Sequence, residues 1–440
     1  MAMTFGWRGQ FLRVNLTSGK LRTEPLRPEE AKDCIGAHGL AMHLYGKDVP
    51  VGVEPGSAEN ALILATSPLT GTLLPNGGHY SVVTRATQGA RLSCANLGGA
   101  WGPELKYAGF DAIVVQGKSA KPVYLWIIDG VAELRDAGHL WGKSVRECGD
   151  LLRAEIDKKA HVCCIGPAGE NRLCVAAIVS DAKFASGAKG VAAIFGEKNL
   201  KAIVVRGTGG IRLARAAEFM ATAQRLRHDS ATTLLLGKGS RLQGPVLLVT
   251  SVAEDTEALP SDGVQPRSCF GCTTVFSSFA DDSTGETIAR FHVESLPQVD
   301  AGQLREQRAF VDLGLDYVSA KTMLASGKSD DTQDQVELAG RLARGELGEK
   351  TEAEVKPGEV GNSGCVVGGY VLVPAIATGE LGDDSGAALA AAESAGCCPF
   401  AAALMKAPEI ASLLRSATGM DYSPEDILRA GRRIATAAGK

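Results

Sequence analysis

The stretch from residue 161 to residue 205 decides the architecture of the first half of the chain. It opens with HVCCIGPAGEN (161–171), continues through AAIVSD (176–181) and GAKGV (187–191), and closes with GEKNLKAIVV (196–205). Short apolar runs alternate with glycine-rich turns, a pattern typical of buried strands joined by tight loops. Because glycine lets backbone amides approach a ligand closely, these turns suit an anionic, phosphate-bearing cofactor. The alternative is a set of tight turns without a ligand.

The composition indicates a soluble protein with more than one core. The chain has 440 residues, 45% of them hydrophobic, and a formal net charge of −4. This length exceeds a single hydrophobic core, so two or three domains are expected. The mild charge gives no indication of binding to nucleic acid or to a membrane surface. The N-terminus has no apolar signal core, and the longest apolar tract (365–377) is too short to span a bilayer. We therefore expect a cytoplasmic protein.

Cysteine usage fits a reducing compartment. Eleven cysteines are compatible with the cytoplasm if they are reduced or bound to metal. Most stand singly in apolar surroundings, where a small buried side chain is expected. Two sites differ: Cys269-Phe-Gly-Cys272 and the adjacent pair Cys397-Cys398.

The periodicity predicts an α+β fold with a β-rich first half. Residues 1 to about 208 are expected to form strands and turns with few helices. Hairpins are predicted around Ser18-Gly19 and around Asp129-Gly130. The two helices expected here are Pro28–Ile35 and Lys143–Ile156.

Beyond about residue 210, alanine-rich segments with helical periodicity predict mainly α-helical domains. Ser423 is expected to cap the last of these helices, with proline at the first helical position. We expect a β-rich N-terminal domain (1–208), a helical domain containing Cys-x-x-Cys (209–345) and a helical C-terminal domain (346–440). The other predicted helices are Ala216–His228, Gln303–Ser326, Thr332–Arg344, Ser385–Ala395 and Ala401–Ala417.

Four segments of the first half resemble the aldehyde:ferredoxin oxidoreductase family, whose enzymes hold tungsten or molybdenum between two pterins. They are Ile165–Asn171, Gly196–Ile203, Ala65–Gly71 and the segment from Asn96 to Val115. The resemblance runs nearly without gaps to residue 206 and is patchy from 265 to 400. It implies a shortened and divergent member of the family, with the family's β-rich pterin-binding domain followed by helical domains.

The resemblance also implies a set of cofactor-binding residues. Asn96 and Gly98 match the region where the family's pterins approach a magnesium ion, although a turn residue is the alternative for Asn96. Gly187, Lys189 and Gly190 match the family's glycine loop.

Three acids correspond to the family's pterin-contact motifs. Asp316 matches an aspartate of the first motif, Asp312 stands next to the other aligned position, and Glu393 takes the place of an aspartate in the second. For Asp312 and Asp316, solvated acids near a helix end are the alternative.

Cys269 and Cys272 place two thiolates within reach of one metal centre, for which zinc, redox and iron–sulfur interpretations compete. The resemblance favours an iron–sulfur cluster with Cys398 as a further ligand. Because the family's third cysteine corresponds to Phe276, three outcomes stay open. These are a [4Fe–4S] centre with one non-cysteine or exogenous ligand, a [3Fe–4S] centre, and no cluster.

Glu294 is the candidate acid/base, since it resembles a family glutamate near the metal and a carboxylate in an apolar pocket can titrate near neutral pH. A surface glutamate is the alternative. Four other functional positions depart from the family: His79, Ala188, Phe276 and Val366.

Two classes of function follow from the resemblance. The first is an enzyme that oxidises a small aldehyde to a carboxylic acid at a tungsten or molybdenum pterin and passes electrons through a cluster to ferredoxin or another redox subunit. The second is a cofactor-poor, non-catalytic paralogue that acts as an interaction or electron-transfer subunit of a larger oxidoreductase complex. Either would form a homo- or hetero-oligomer without nucleic acid or membrane.

Overall fold

The protein was analysed as a computed structural model that describes most of the first half of the chain and parts of the second. Three β-sheets with helices packed on them lie within the described ranges. The ranges are 5–75, 77–86, 92–182, 184–187, 190–236, 264–266, 269–271, 278–281, 287–290, 301–324, 332–347, 365–367, 370–372, 383–398, 402 and 405–438.

The strands are β1 (Gln10–Asn15), β2 (Lys20–Pro25), β3 (Leu62–Ala65), β4 (Tyr80–Arg85), β5 (Leu92–Leu97), β6 (Ala112–Gln116), β7 (Val123–Ile128), β8 (Val131–Asp136), β9 (His161–Ile165), β10 (Ile178–Ser180), β11 (Phe184–Ala185), β12 (Leu200–Arg206), β13 (Val264–Pro266), β14 (Ser278–Asp281), β15 (Thr287–Arg290), β16 (Cys365–Val367) and β17 (Tyr370–Leu372).

The α-helices are α1 (Pro28–Cys34), α2 (Ala37–Asp48), α3 (Trp101–Tyr107), α4 (Val145–Glu155), α5 (Pro167–Glu170), α6 (Val191–Glu197), α7 (Ala216–Leu236), α8 (Ala301–Asp312), α9 (Tyr317–Leu324), α10 (Thr332–Ala343), α11 (Asp383–Ser394), α12 (Ala407–Thr418) and α13 (Pro424–Ala438).

The first sheet has the strand order β2-β1-β6-β3-β4-β5. The predicted hairpin β1–β2 is confirmed as an antiparallel pair, and β1 runs parallel to β6. All four residues of β3 are buried, as expected of a strand covered on both faces. The sheet ends at the β4–β5 pair, in which Ser81 lies opposite Asn96.

The second sheet has the order β17-β16-β11-β10-β9-β12-β7-β8. Its centre is the stretch 161–205, whose predicted strands and glycine-rich turns are confirmed. The predicted hairpin β7–β8 is confirmed as well, and its turn places Asp129 and Gly130 at φ values of 42° and 88°. This is the left-handed conformation that such two-residue turns require.

Strands β16 and β17 come from the second half of the chain, where only helices were predicted. Residue Val366 of β16 pairs with Ala185 of β11, so this half contributes to the sheet of the first. The predicted domain boundaries at 208 and 345 stay predictions.

The β-rich first half with a helical second half is the fold predicted from the sequence, with several local differences. Of the six helices described in the first half, α2, α3, α5 and α6 were not expected. At α2, Gly36 and Gly39 gave the beginning of the helix the composition of a turn. The predicted single helix Gln303–Ser326 is two helices, α8 and α9, separated at Gly314, whose φ of 73° does not continue a helix. The predicted cap of α13 is confirmed by the bond from the Asp426 amide to Ser423 Oγ at 3.1 Å.

The break at Gly314 coincides with a backbone contact between the two halves. A Cβ on Gly166 would lie 2.5 Å from the carbonyl carbon and oxygen of Leu313, and one on Gly314 would lie 2.6 Å from the Gly166 amide nitrogen. The Ala168 amide donates to the Leu313 carbonyl at 3.1 Å, and the Ala177 amide donates to the Gly314 carbonyl at 2.8 Å. The two backbones therefore touch where no side chain fits.

We expect Gly166→Ala to destabilise the protein, because the added methyl group would force these backbones apart. Overpacking of this kind costs about 1–3 kcal/mol in the free energy of unfolding. The control is Gly46→Ala, since Gly46 lies in α2 with nothing within 4 Å of its added methyl group. That substitution should stabilise the helix by about 1 kcal/mol. Urea denaturation of both variants checks this, and equal midpoints would contradict it.

Candidate functional site

The candidate site lies at one end of the β4–β5 pair. His79 immediately precedes β4, and Gly98 and Gly99 follow β5. Asn96 is buried in β5, and its Oδ1 accepts a hydrogen bond from Ser81 Oγ at 2.5 Å. The cross-strand pairing of these two residues therefore places Asn96 and the two glycines at the edge of the first sheet.

Cys269 is brought to this end of the sheet from far along the chain. The position that a Cβ would take on Gly98 is 2.6 Å from Cys269 Sγ and 3.1 Å from His79 Nε2. The next residue, Phe270, donates its backbone N–H to the Gly99 carbonyl at 3.2 Å. The structure thus places a predicted metal ligand directly against the predicted cofactor-binding glycine Gly98.

The segment leading to Cys398 reaches the same place. The His79 amide donates to the Gly396 carbonyl at 3.4 Å, and Ser67 Oγ donates to the Ala395 carbonyl at 2.5 Å. Cys398 itself is buried. Its neighbour Cys397 donates from Sγ to Met405 Sδ at 3.4 Å, so the two adjacent thiols have different surroundings.

His79 is buried, with 4% of its surface exposed. Burial lowers its pKa to about 4, so the imidazole is neutral at neutral pH. Its Nδ1 has no hydrogen-bond partner among the residues that the structure describes. His38, at the beginning of α2, is a second buried histidine whose pKa burial lowers to about 4.

The glycine loop lies after β11. Gly187 and Gly190 have φ values of 72° and 65°, and Gly190 precedes the first residue of α6. Ser186 holds the start of the loop, since its Oγ accepts from the Ile178 amide at 3.0 Å and donates to the Gly187 carbonyl at 3.0 Å. Lys189 and Ala188 lie outside the described residues.

Side chains of the chain itself lie close to the glycines where a pterin pair would approach this end of the sheet, namely Gly78, Gly98 and Gly99. A Cβ on Gly99 would lie 2.8 Å from the Phe184 ring, and one on Gly78 would lie 2.9 Å from Phe270 Cβ. The chain's own side chains therefore cover these glycines, and the neutral His79 supplies no positive charge for a phosphate. On the side where a Cβ would point, the backbone at Gly98 and Gly99 is therefore covered by the chain's own side chains and is not open to a pterin.

The predicted acids occupy three different environments. Asp316 is buried and begins α9: its Oδ2 accepts from the Ser319 amide at 3.0 Å and from Ser319 Oγ at 2.6 Å. It is therefore a buried helix cap and not a solvated acid. Asp312 pairs with Arg146 at 2.8 Å, facing α4. Glu393 is buried near the end of α11.

The structure describes some of the predicted site residues and brings part of that set together. Asn96, Gly98 and Cys269 are brought together, and the segment before Cys398 joins them. Cys272, Phe276 and Glu294 lie outside the described residues. Within the described ranges, no group of three or more His, Cys, Asp or Glu side chains is placed to hold a metal ion.

Two contributors to the site were missed at the level of sequence. Phe184 was not singled out, and nothing in a single sequence indicates that its ring covers Gly99. His79 is only a departure from the family at the level of sequence, and its position next to Cys269 depends on a contact between distant segments.

No helix in the described ranges is long and apolar enough to cross a membrane.

Comparisons with known proteins show which proteins this chain is similar to. Residues 11–207 match the family described as aldehyde ferredoxin oxidoreductase, N-terminal domain. The tungsten-containing aldehyde ferredoxin oxidoreductase of Pyrococcus furiosus is 41% identical over 286 residues, which are 65% of this chain and 46% of that protein. The protein of the same name from Thermococcus kodakarensis is 40% identical over 294 residues, 67% of this chain and 47% of that protein. The chain spans about half the length of these relatives.

The chain is also similar to a subunit of another oxidoreductase and to a solved reductase complex. The aliphatic sulfonate oxidoreductase, WOR-like subunit, of Pyrococcus furiosus is 32% identical over 221 residues, 47% of this chain and 35% of that protein. The solved active site complex BamBC of benzoyl coenzyme A reductase, in complex with 1,5-dienoyl-CoA, superposes with a TM-score of 0.79. That match covers 99% of this chain and 89% of the other at 20% identity, which shows a shared fold.

We expect the metal-free protein to lose stability as the pH falls from about 6.5 towards 4. His79 and His38 have lowered pKa values, so in this interval the unfolded state binds the proton and the folded state does not. Each of His79→Gln and His38→Gln should reduce the slope of unfolding free energy against pH by up to about 1.4 kcal/mol per pH unit. The double variant should reduce it further. Denaturation curves at several pH values measure the slope, and slopes equal to that of the wild type would contradict the assignment.

Proposed function

Because the chain belongs, through residues 11–207, to the aldehyde ferredoxin oxidoreductase family, we propose that it is an electron-transfer subunit of an oxidoreductase complex. In this proposal it carries an iron–sulfur centre and exchanges electrons with ferredoxin or another redox subunit. The observation that carries the proposal is the convergence of Cys269 and the segment before Cys398 on the end of the β4–β5 pair.

The described residues fit a metal centre better than they fit pterins. A partly buried thiol beside a neutral imidazole is a donor set suited to iron or zinc. The residues that would hold the centre are Cys269 and Cys398, together with Cys272 from the Cys-x-x-Cys spacing. An iron–sulfur cluster supplies one-electron transfer when bound.

The chain's own residues would position and shield such a centre. Phe270 packs against Gly78 and hydrogen-bonds Gly99, which fixes Cys269 on the sheet. The Ser67 hydroxyl, in the turn after β3, donates to the Ala395 carbonyl and lies against Gly396, so a side chain of the first half holds the segment that leads to Cys398. Cys398 is buried, whereas Cys269 is partly exposed.

The location proposed for this function is the cytoplasm. The eleven cysteines of the chain are compatible with a reducing compartment if they are reduced or bound to metal.

A second candidate function is the oxidation of a small aldehyde to a carboxylic acid at a tungsten or molybdenum pterin. It is favoured by the 40–41% identity to proteins named as tungsten-containing aldehyde ferredoxin oxidoreductases. Glu294 would be the acid/base, and a magnesium ion would lie near Asn96. The remaining pterin contacts would be Gly98, Gly187, Lys189, Gly190, Asp312, Asp316 and Glu393. The Phe184 ring on Gly99 weighs against this candidate.

Metal analysis of anaerobically purified protein separates the two functions. The electron-transfer proposal expects iron and sulfide in the pure chain, no tungsten or molybdenum, a dithionite-reducible absorption band and no turnover of short-chain aldehydes with a viologen dye. Near-stoichiometric tungsten or molybdenum with aldehyde turnover would establish the second function instead. A folded chain that holds no iron would eliminate the electron-transfer proposal.

The adjacent cysteines offer a matched pair of variants. Cys398→Ser should lower the iron content, because it removes a ligand of the centre. Cys397→Ser should leave it unchanged, because Cys397 Sγ contacts Met405. Iron and sulfide assays on both proteins, with circular dichroism to confirm folding, measure the difference. Equal loss in the two variants would argue against Cys398 as a ligand.

A further inference from the structure

The imidazole of His79 and the thiol of Cys269 both lie next to Gly98. Nε2 of His79 and Sγ of Cys269 both lie within 3.1 Å of the position that a Cβ would take on Gly98. Gly98 has no side chain, so nothing from this residue separates the two donor atoms. A nitrogen and a sulfur donor of these types commonly bind the same metal in proteins.

We propose that His79 Nε2 and Cys269 Sγ are ligands of a single metal centre. This inference rests on the proposed function only in that a metal is bound at Cys269. It adds a nitrogen ligand to a centre that the sequence predicted from cysteines alone.

The main chain of His79 is fixed on both sides, which sets the direction of its ring. Its amide donates to the Gly396 carbonyl at 3.4 Å, and its carbonyl accepts from Thr70 Oγ1 at 3.0 Å. A ligand held in this way loses little conformational freedom when a metal binds. The same contacts join His79 to the chain segment that precedes Cys398.

Burial of the His79 ring favours a bound ligand, because a buried polar ring is stabilised by each partner it gains. His79 is 4% exposed, and its Nδ1 finds no hydrogen-bond partner in the described part of the chain. Burying a polar ring with few partners costs free energy. A metal–nitrogen bond at Nε2, the ring nitrogen on the side of Cys269 Sγ, would give the ring a strong partner and offset part of that cost, although it would not supply a partner for Nδ1.

The donor types restrict the metal. Magnesium and calcium prefer oxygen ligands, so a thiolate with an imidazole indicates zinc or an iron-containing centre. Both would show the same nitrogen and sulfur ligands, and elemental analysis distinguishes them. Iron would agree with electron transfer, whereas zinc, which has no redox chemistry, would keep this inference and remove the proposed function.

X-ray absorption spectroscopy at the edge of the bound metal tests the assignment on the full chain, purified without oxygen. The wild type should show imidazole nitrogen beside sulfur in the first coordination shell. His79→Ala should lose the nitrogen and bind the metal about tenfold or more weakly. His79→Cys should keep the metal with sulfur ligands only.

The matched control is His38→Ala. His38 is buried to a similar degree, and its Nε2 has no hydrogen-bond partner among the described residues. This variant should retain both the metal and its nitrogen ligand, so a loss specific to His79 cannot be assigned to the removal of any buried histidine.

Three results would overturn the inference. The first is a metal-loaded wild type without imidazole nitrogen, which leaves the electron-transfer proposal standing. The second is a His79→Cys protein whose nitrogen shell is unchanged. The third is a folded wild type without metal, which removes both proposals.

Discussion

The backbone contact between Gly166 and Gly314 joins the two halves of the protein. At this point a strand end of the second sheet and the turn between two helices approach so closely that neither can carry a side chain. Hydrogen bonds on both sides, including that from the Asp316 amide to the Val175 carbonyl at 2.9 Å, extend the contact into a short length of paired backbone. The position of α8 and α9 on the β-rich half therefore requires glycine at both residues 166 and 314, because a larger residue at either would force the backbones apart.

The same kind of close approach builds the candidate site, but with a different outcome. Gly98 and Gly99 are reached by side chains from other parts of the same chain, namely Cys269, His79 and Phe184. The open backbone at these glycines is contacted by the thiol of Cys269, the imidazole of His79 and the ring of Phe184, where a cofactor could otherwise have bound. The contacts of these side chains with the two glycines are the observation from which the proposed metal ligands are argued in preference to pterin contacts.

Local structure could be predicted from the sequence where neighbouring residues determine it. The strands of 161–205 follow from their apolar runs, the turn at Asp129-Gly130 from its left-handed residues, and the cap at Ser423 from its hydroxyl group. The break at Gly314 and the pairing of Val366 with Ala185 were missed, because each is stabilised by a partner far away in the chain.

The candidate site divides in the same way. Cysteine spacing pointed to Cys269, and the family resemblance pointed to Gly98, as separate candidates. In the structure, Cys269 and His79 both lie against Gly98. Such a tertiary contact cannot be predicted from periodicity or spacing. For Asp316, the residue type was consistent with either a ligand contact or a helix end, and the bonds to Ser319 show that it caps a helix.

The order of the contributing segments along the chain has a consequence for biosynthesis. His79 and Gly98 leave the ribosome first, Cys269 later and Gly396 later still, and domains begin to fold as they emerge. Until Gly396 has been made, the His79 amide lacks the carbonyl that accepts its hydrogen bond in the folded protein. The end of the β4–β5 pair is therefore completed only after a segment from the second half of the chain has emerged.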